Sequence, residues 1–246
     1  MRVLVLLFAL LMPAVAWMSN AGLFGPDNAT ISNQYPTLLV AAGYAFSIWG
    51  LIFLWDIGFA LWQLRARGNE PLLARVRPAA AAGFALTALW MPVFSMQIFW
   101  LALLIIWASF ACLAFAAIVL SRDPTPSPQQ RWWAWAPLSL HAGWLSLAAF
   151  LNTAQVIVAY RLLSTGQMLA WSLVLFVAAA VVLLGLNARM RGNLGYVLAA
   201  VWGLGAVYVK QSQWALPGAQ TAAWVALAIA ALLVAQSIWL WARVGR

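Results

Sequence analysis

Apolar residues run through this chain in long stretches separated by short polar breaks. A helix needs about 20 apolar residues to cross the hydrocarbon layer of a bilayer. Eight stretches approach or exceed that length: 3–19, 38–64, 79–96, 98–120, 133–160, 168–187, 194–210 and 221–242. The pattern therefore predicts eight membrane-spanning helices. The third and fourth are separated only by Ser95-Met96-Gln97, just after Trp90-Met91-Pro92, which predicts a tight helical hairpin. The other breaks carry ordinary turn chemistry: Asn20 to Pro36, Gly68-Asn69-Glu70-Pro71, Asp123 to Pro128, Gly192-Asn193 and Pro217-Gly218. None is long enough to hold a soluble domain, and no internal repeat points to an inverted-repeat transporter.

Composition agrees with the span pattern. Of the 246 residues, 66% are hydrophobic and only 7% are charged, against about 25% charged in a soluble domain. Too little polar surface exists to face water, so the chain reads as an all-α polytopic membrane protein. Cys112 is the only cysteine, which excludes a disulfide scaffold, and one His with four acids disfavours metal hydrolases and Ser-His-Asp enzymes. The net charge of +9 comes from 12 Arg and one Lys. With the N-terminus inside, the inside segments hold Arg2, Arg65, Arg67, Arg75, Arg77, Arg122, Arg131, Arg189, Arg191, Arg243 and Arg246, eleven of the 13 basic residues. Only Arg161 and Lys210 fall outside. Cytoplasmic loops are the ones enriched in Lys and Arg, so both termini are expected to be cytoplasmic and the charge is an orientation signal. Nucleic acid is not an expected partner. Residues 1–16 also have the look of a signal peptide, ending in Ala14-Val15-Ala16. We expect them to be retained as the first span, and their removal would leave seven.

Ionisable and polar groups inside spans are costly in lipid and usually face protein or a cavity. Three segments carry them together with aromatics. In the fifth span His141, Trp144, Ala148 and Asn152 follow i, i+3, i+7, i+11 spacing and form one stripe, with small Ala148 leaving room beside the Trp144 indole. The stripe suits a planar, polar-edged ligand or, equally, a packed interhelical face with His141 hydrogen-bonded to a neighbour. His141 is also a candidate axial ligand to a metallated tetrapyrrole. In the second span Trp49, Phe53 and Asp56 share a face, and Asp56 is the only acid well inside a span. It would bind a cationic group or pyrrole N–H, carry a proton, or be a paired carboxyl. In the third span Trp90 and Phe94 flank Pro92 and point one way, and Ala79 to Gly83 are small enough for a dimer seam or a close contact within the chain.

Those segments carry a family resemblance. Phe46-Ser47-Ile48-Trp49-Gly50-Leu51-Ile52-Phe53, then Leu86-Thr87-Ala88-Leu89-Trp90-Met91-Pro92-Val93-Phe94, then Trp144 to Asn152 stand in the order found in the tryptophan-rich sensory protein / translocator protein family (TspO/MBR, including the peripheral-type benzodiazepine receptor). Over residues 1 to about 160 the chain resembles that family, and overall its longer branch. The resemblance implies a TspO-like five-helix bundle over 1–162 and a three-helix extension over 163–246. It also implies an interior pocket, under the loop between the first and second helices, for a tetrapyrrole such as porphyrin or haem, or for a sterol-like or aromatic molecule, with Trp49 and Trp144 in its walls. A sensory, trafficking or catabolic role would follow, with light-dependent porphyrin breakdown as the one enzymatic possibility. The expected ligand-binding residues are thus Trp49, Phe53, Asp56, Trp90, Phe94, His141, Trp144, Ala148 and Asn152. The chain departs from the family in two places. Tyr35-Pro36-Thr37-Leu38 replaces a Trp-x-Pro-Pro element, and His141 stands where a Tyr usually precedes the fifth-helix Trp. Two other functions fit the residues: an accessory subunit of a larger photosynthetic or respiratory membrane complex, and a small-solute transporter using Asp56. A bacterial inner membrane is the expected location, and a homodimer or larger assembly is a further expectation.

Overall fold

The structure is a computed structural model that describes residues 1–66 and 70–244. The basic residues Arg67 and Arg246 and the Gly68-Asn69 turn lie outside the described residues. The helices are α1 (Arg2–Asn20), α2 (Asn28–Gln34), α3 (Ile48–Arg65), α4 (Glu70–Ser95), α5 (Phe99–Ser121), the short α6 (Pro128–Gln130), α7 (Ala136–Ala159), α8 (Met168–Arg189), α9 (Leu194–Ser212) and α10 (Ala219–Val244). A 3-10 turn (Gly43–Ser47) leads into α3, and a π-helical turn (Arg131–Trp135) leads into α7. No strand occurs among the described residues.

Among the described residues, seven helical segments are long and apolar enough to cross a membrane: Arg2–Asn20, Gly43–Arg65, Glu70–Ser95, Phe99–Ser121, Pro128–Ala159, Thr165–Arg189 and Ala219–Arg243. The expected span at 194–210 forms a helix, α9, but does not reach that standard. Lys210, Gln211 and Ser212 close it, and three glycines dilute its apolar surface. It packs against both α7 and α10.

Two expected boundaries change. Residues 38–42 are not helical, so the second span begins at Gly43 and not at 38. Their backbone is held by α9 in place of its own helix. Trp202 Nε1 donates to the Ala45 carbonyl (3.1 Å), and Ala42 N–H donates to the Ala206 carbonyl (2.9 Å). Gln211 Nε2 donates to the Thr37 and Val40 carbonyls (3.1 and 3.0 Å). Residues 202, 206 and 210 lie one turn apart, and Lys210 reaches Asn33 Oδ1 at 3.0 Å. One face of α9 thus runs antiparallel to the segment 33–45. The second change is at α4, which starts at Glu70 and not near 79. Arg77 is buried there, paired with Glu70 and donating to Gln63 Oε1 (2.9 Å). Arg2 donates to Glu70 Oε2 (2.8 Å) and to the Leu64 carbonyl (3.2 Å), so the basic ends of α1, α3 and α4 form one cluster.

The hairpin between α4 and α5 forms as its sequence suggests, with Gln97 taking a positive φ of 59°. Pro92 and Pro78 both lie inside α4, which continues to Ser95. The most enclosed helix is α7, where every residue from Pro137 to Phe150 is buried. In lipid such burial depends on close backbone approach at small residues, because the hydrocarbon tails are as apolar as the side chains. At Gly143 the α9 backbone comes so near that a Cβ would overlap the Tyr196 carbonyl. Gly83 is used within the chain in the same way, for a Cβ there would sit 2.6 Å from Leu113 Cγ on α5.

Candidate functional site

The expected site residues gather on α3, α4 and α7, which meet in the half of the bundle nearest the segment 33–47. Trp49 is the hub. It stacks on Phe53 (ring centroids 5.3 Å) and lies edge-on to Trp144 (5.9 Å) and to His141 (5.6 Å). Trp90 is 6.3 Å from Trp49 and 4.8 Å from Phe94. The i, i+4 spacing of Trp90 and Phe94 puts both on the side of α4 facing the hub. Asn152 fixes Trp90 by accepting from its Nε1 at 3.1 Å, and spends its own amide on the Ala148 carbonyl (3.0 Å).

Two cavities meet at Trp49. The larger, of about 560 Å³, opens between α1, the start of α2 and α3, with Trp17, Phe46, Trp49, Phe53 and Met91 among its apolar walls. The smaller, of about 20 Å³, lies deeper among Trp49, Trp90, Phe94, Trp144, Ala148 and Asn152. Small-molecule sites measure about 300–1,000 Å³, whereas a cavity of 20 Å³ holds little more than one water. The inner aromatic box that sequence reasoning marks as a pocket is therefore nearly filled by its own side chains. Of these two spaces the outer cleft is the one large enough for a ligand, and of the expected residues it includes Trp49 and Phe53. The α1 and α2 walls carry no aromatic motif in the sequence. Asp27 is the one signal there: its side chain accepts from Ala29 and Thr30 N–H and caps α2 inside a stretch expected to be loop.

Asp56 and His141 line neither cavity. They are fully buried and meet each other, Asp56 Oδ2 to His141 Nδ1 at 2.8 Å. His141 Nε2 continues to Thr87 Oγ1 (3.3 Å), Thr87 to Ser109 Oγ (2.8 Å), and Ser109 to the Gly83 carbonyl (2.9 Å). The proton directions follow by elimination. Ser109 has one hydroxyl proton and gives it to the Gly83 carbonyl, so Thr87 donates to Ser109. Thr87 then accepts from His141 Nε2–H. One proton remains for the Nδ1 to Oδ2 contact, and the pair is neutral overall whichever partner holds it. An uncompensated buried charge is thereby avoided in a region where it would be very costly. Both imidazole nitrogens are engaged, so a metal at His141 would have to displace Asp56 or Thr87. Three indole or acid atoms near the hub have no partner within the described residues: Trp49 Nε1, Trp144 Nε1 and Asp56 Oδ1.

A family model described as TSPO-like protein matches residues 2–239. The chain belongs to the TSPO-like family. The match continues through α8, α9 and most of α10. No curated protein and no solved structure matched the chain. Family membership and the seven apolar helices make this TSPO-like protein a multi-pass integral membrane protein.

Proposed function

We propose that this TSPO-like protein binds a flat, largely apolar ligand in the outer cleft between α1, α2 and α3, with Trp49 and Phe53 as its stacking wall. The observation that carries this reading is the 560 Å³ cleft ending on a stacked indole and phenyl pair. Aromatic faces offer wide contact area at little entropy cost, and the volume lies in the small-molecule range. Trp90, Phe94, Trp144, Ala148 and Asn152 form the packed floor beneath Trp49, and the Asp56–His141 chain fixes α3 against α7. Within this class a tetrapyrrole is the finer proposal, supported by family membership. A sensory, trafficking or catabolic role goes with it.

The reading divides the labour along the chain. Residues 1–162 hold the ligand, and 163–246 brace the segment that leads into the cleft's Phe46 and Trp49, through the bonds from Trp202, Ala206 and Gln211. The excess of Arg on one side supports cytoplasmic termini, and a bacterial inner membrane is the proposed setting. Titrating protoporphyrin into the purified full chain in detergent, while following Trp fluorescence and the Soret band, tests the finer proposal. Saturable quenching with a shifted Soret band, both weakened at least about tenfold in Trp49→Leu, is the expected result. Unchanged fluorescence and an unshifted band would overturn the tetrapyrrole assignment.

A further inference from the structure

At the end of the bundle away from the ligand cleft, α4 and α5 leave a groove of about 520 Å³ between them, and no residue lines both spaces. On α5 the groove is walled by Phe115, Ile118, Val119 and Arg122, whose i, i+3, i+4, i+7 spacing makes an apolar stripe that ends in a cation. On α4 Leu72 and Arg75, one turn apart, face it. With 26 residues α4 is about 39 Å long at about 1.5 Å per residue, whereas the hydrocarbon layer is about 30 Å thick. Its first turns, Arg75 included, therefore have room at the headgroup level, and Arg122 lies there too, just past the end of α5.

The neighbouring cations are already engaged. Arg2 and Arg77 pair with Glu70, and Arg243 lies over the Trp239 ring. Arg75 and Arg122, by contrast, are exposed and make no hydrogen bond or ion pair among the described residues. The acid in the lining is Asp123, which accepts from Thr125 N–H (3.1 Å) and from Gln130 Nε2 (2.7 Å) and so ties down the turn that follows α5. Two cations against one acid leave the groove positive. The start of α4 and the close of α5 bring opposite dipole ends to this rim, so the backbone favours neither sign and the side chains decide.

We propose that the groove holds an anionic phospholipid, with its phosphate between Arg75 and Arg122 and an acyl chain along Phe115, Ile118 and Val119. Basic pockets between spans at the membrane surface suit phosphate head groups. Phe115 is 48% exposed, an apolar wall that a lipid tail covers. A free phosphate would use the arginines and leave that wall bare. A zwitterionic lipid would bring a cation of its own to the two arginines.

Native mass spectrometry of the full chain, released from an uncharged detergent, tests this with phosphatidylglycerol and phosphatidylcholine of identical acyl chains supplied together. Phosphatidylglycerol is expected to bind the parent about tenfold tighter. Arg75→Gln with Arg122→Gln should bring the ratio within about twofold. Arg65→Gln with Arg189→Gln removes the same charge from exposed positions outside the groove and should leave the ratio near its parent value. Each ratio is internal to one sample, so the amount of folded chain does not enter it. Glycerol phosphate in about hundredfold excess should leave phosphatidylglycerol bound; displacement would overturn the lipid in favour of a free phosphate. A parent ratio near one, a ratio that survives in the groove variant, or an equal fall in both double variants overturns the proposal.

Discussion

Asp56 and His141 show how much a residue's identity reveals and where it stops. Each stands out in the sequence as an ionisable group inside an apolar run, but they are 85 positions apart, and nothing in either segment announces that they share a proton. Their pairing depends on how α3 and α7 pack, which is not a local property. Removing one partner leaves the other buried and unpaired, so Asp56→Leu and His141→Leu should each lower stability by about 1–3 kcal/mol. The double variant should cost less than the sum of the two, because replacing both partners by apolar groups removes the unpaired atom. Thermal unfolding in detergent, followed by Trp fluorescence, checks this; strictly additive losses would deny the coupling. Asp27 supports a prediction outside the membrane. Its carboxyl titrates below the ordinary 3.8 because the Thr30 hydroxyl and N–H favour the charged form. A depressed carboxyl contributes stability above its unfolded pKa and loses it as pH falls through the folded value. Amide protection at Thr30 should therefore hold from pH 7 to about pH 4 and fall below 3.8, and Asp27→Asn should flatten that dependence.

At the scale of elements, hydrophobic length located the spans well and their edges poorly. The stretch 38–64 is largely apolar, yet 38–42 is not helical: the Val40 carbonyl and Ala42 N–H pair with α9, and the Leu39 and Val40 N–H groups bond to Thr37. The opposite occurs at α4, where Arg75 and Arg77 interrupt the apolar run but the helix persists, with buried Arg77 paired to the half-exposed Glu70. The helix α2 was hidden in a polar loop whose only mark is its Asp27 cap. Gln211→Leu removes two of the bonds from α9 to that extended segment. Amide exchange at Val40 and Ala42 should then quicken by about tenfold or more, with the exposed-site variant Ser212→Ala unchanged. Equal protection in parent and Gln211→Leu would deny the brace. The α7–α9 contact makes a second test. Gly143→Ala places a Cβ on the Tyr196 carbonyl and should destabilise by about 1–3 kcal/mol. Gly185→Ala meets nothing within 4 Å and should be neutral or stabilising by up to about 1 kcal/mol.

For the whole molecule, class and family were legible in the chain, because few charges, long apolar runs and three ordered aromatic segments survive without knowledge of packing. The sequence marks the aromatic members of the candidate site, but not how much space their packing leaves between them. Trp49, Trp90, Phe94, Trp144 and Asn152 do come together, but they fill the inner space themselves to about 20 Å³. The room lies beside Trp49 against α1 and α2, by the loop under which the family resemblance implies a pocket. The central claim, that this outer cleft is where a flat ligand sits, is tested most directly by locating one. The full chain, crystallised with a brominated three-ring aromatic and measured at the bromine absorption edge, should show an anomalous peak between α1 and α3 against the Trp49 and Phe53 rings. A peak confined to the lipid-facing surface of α8 or α10, with none in the cleft, would contradict the account.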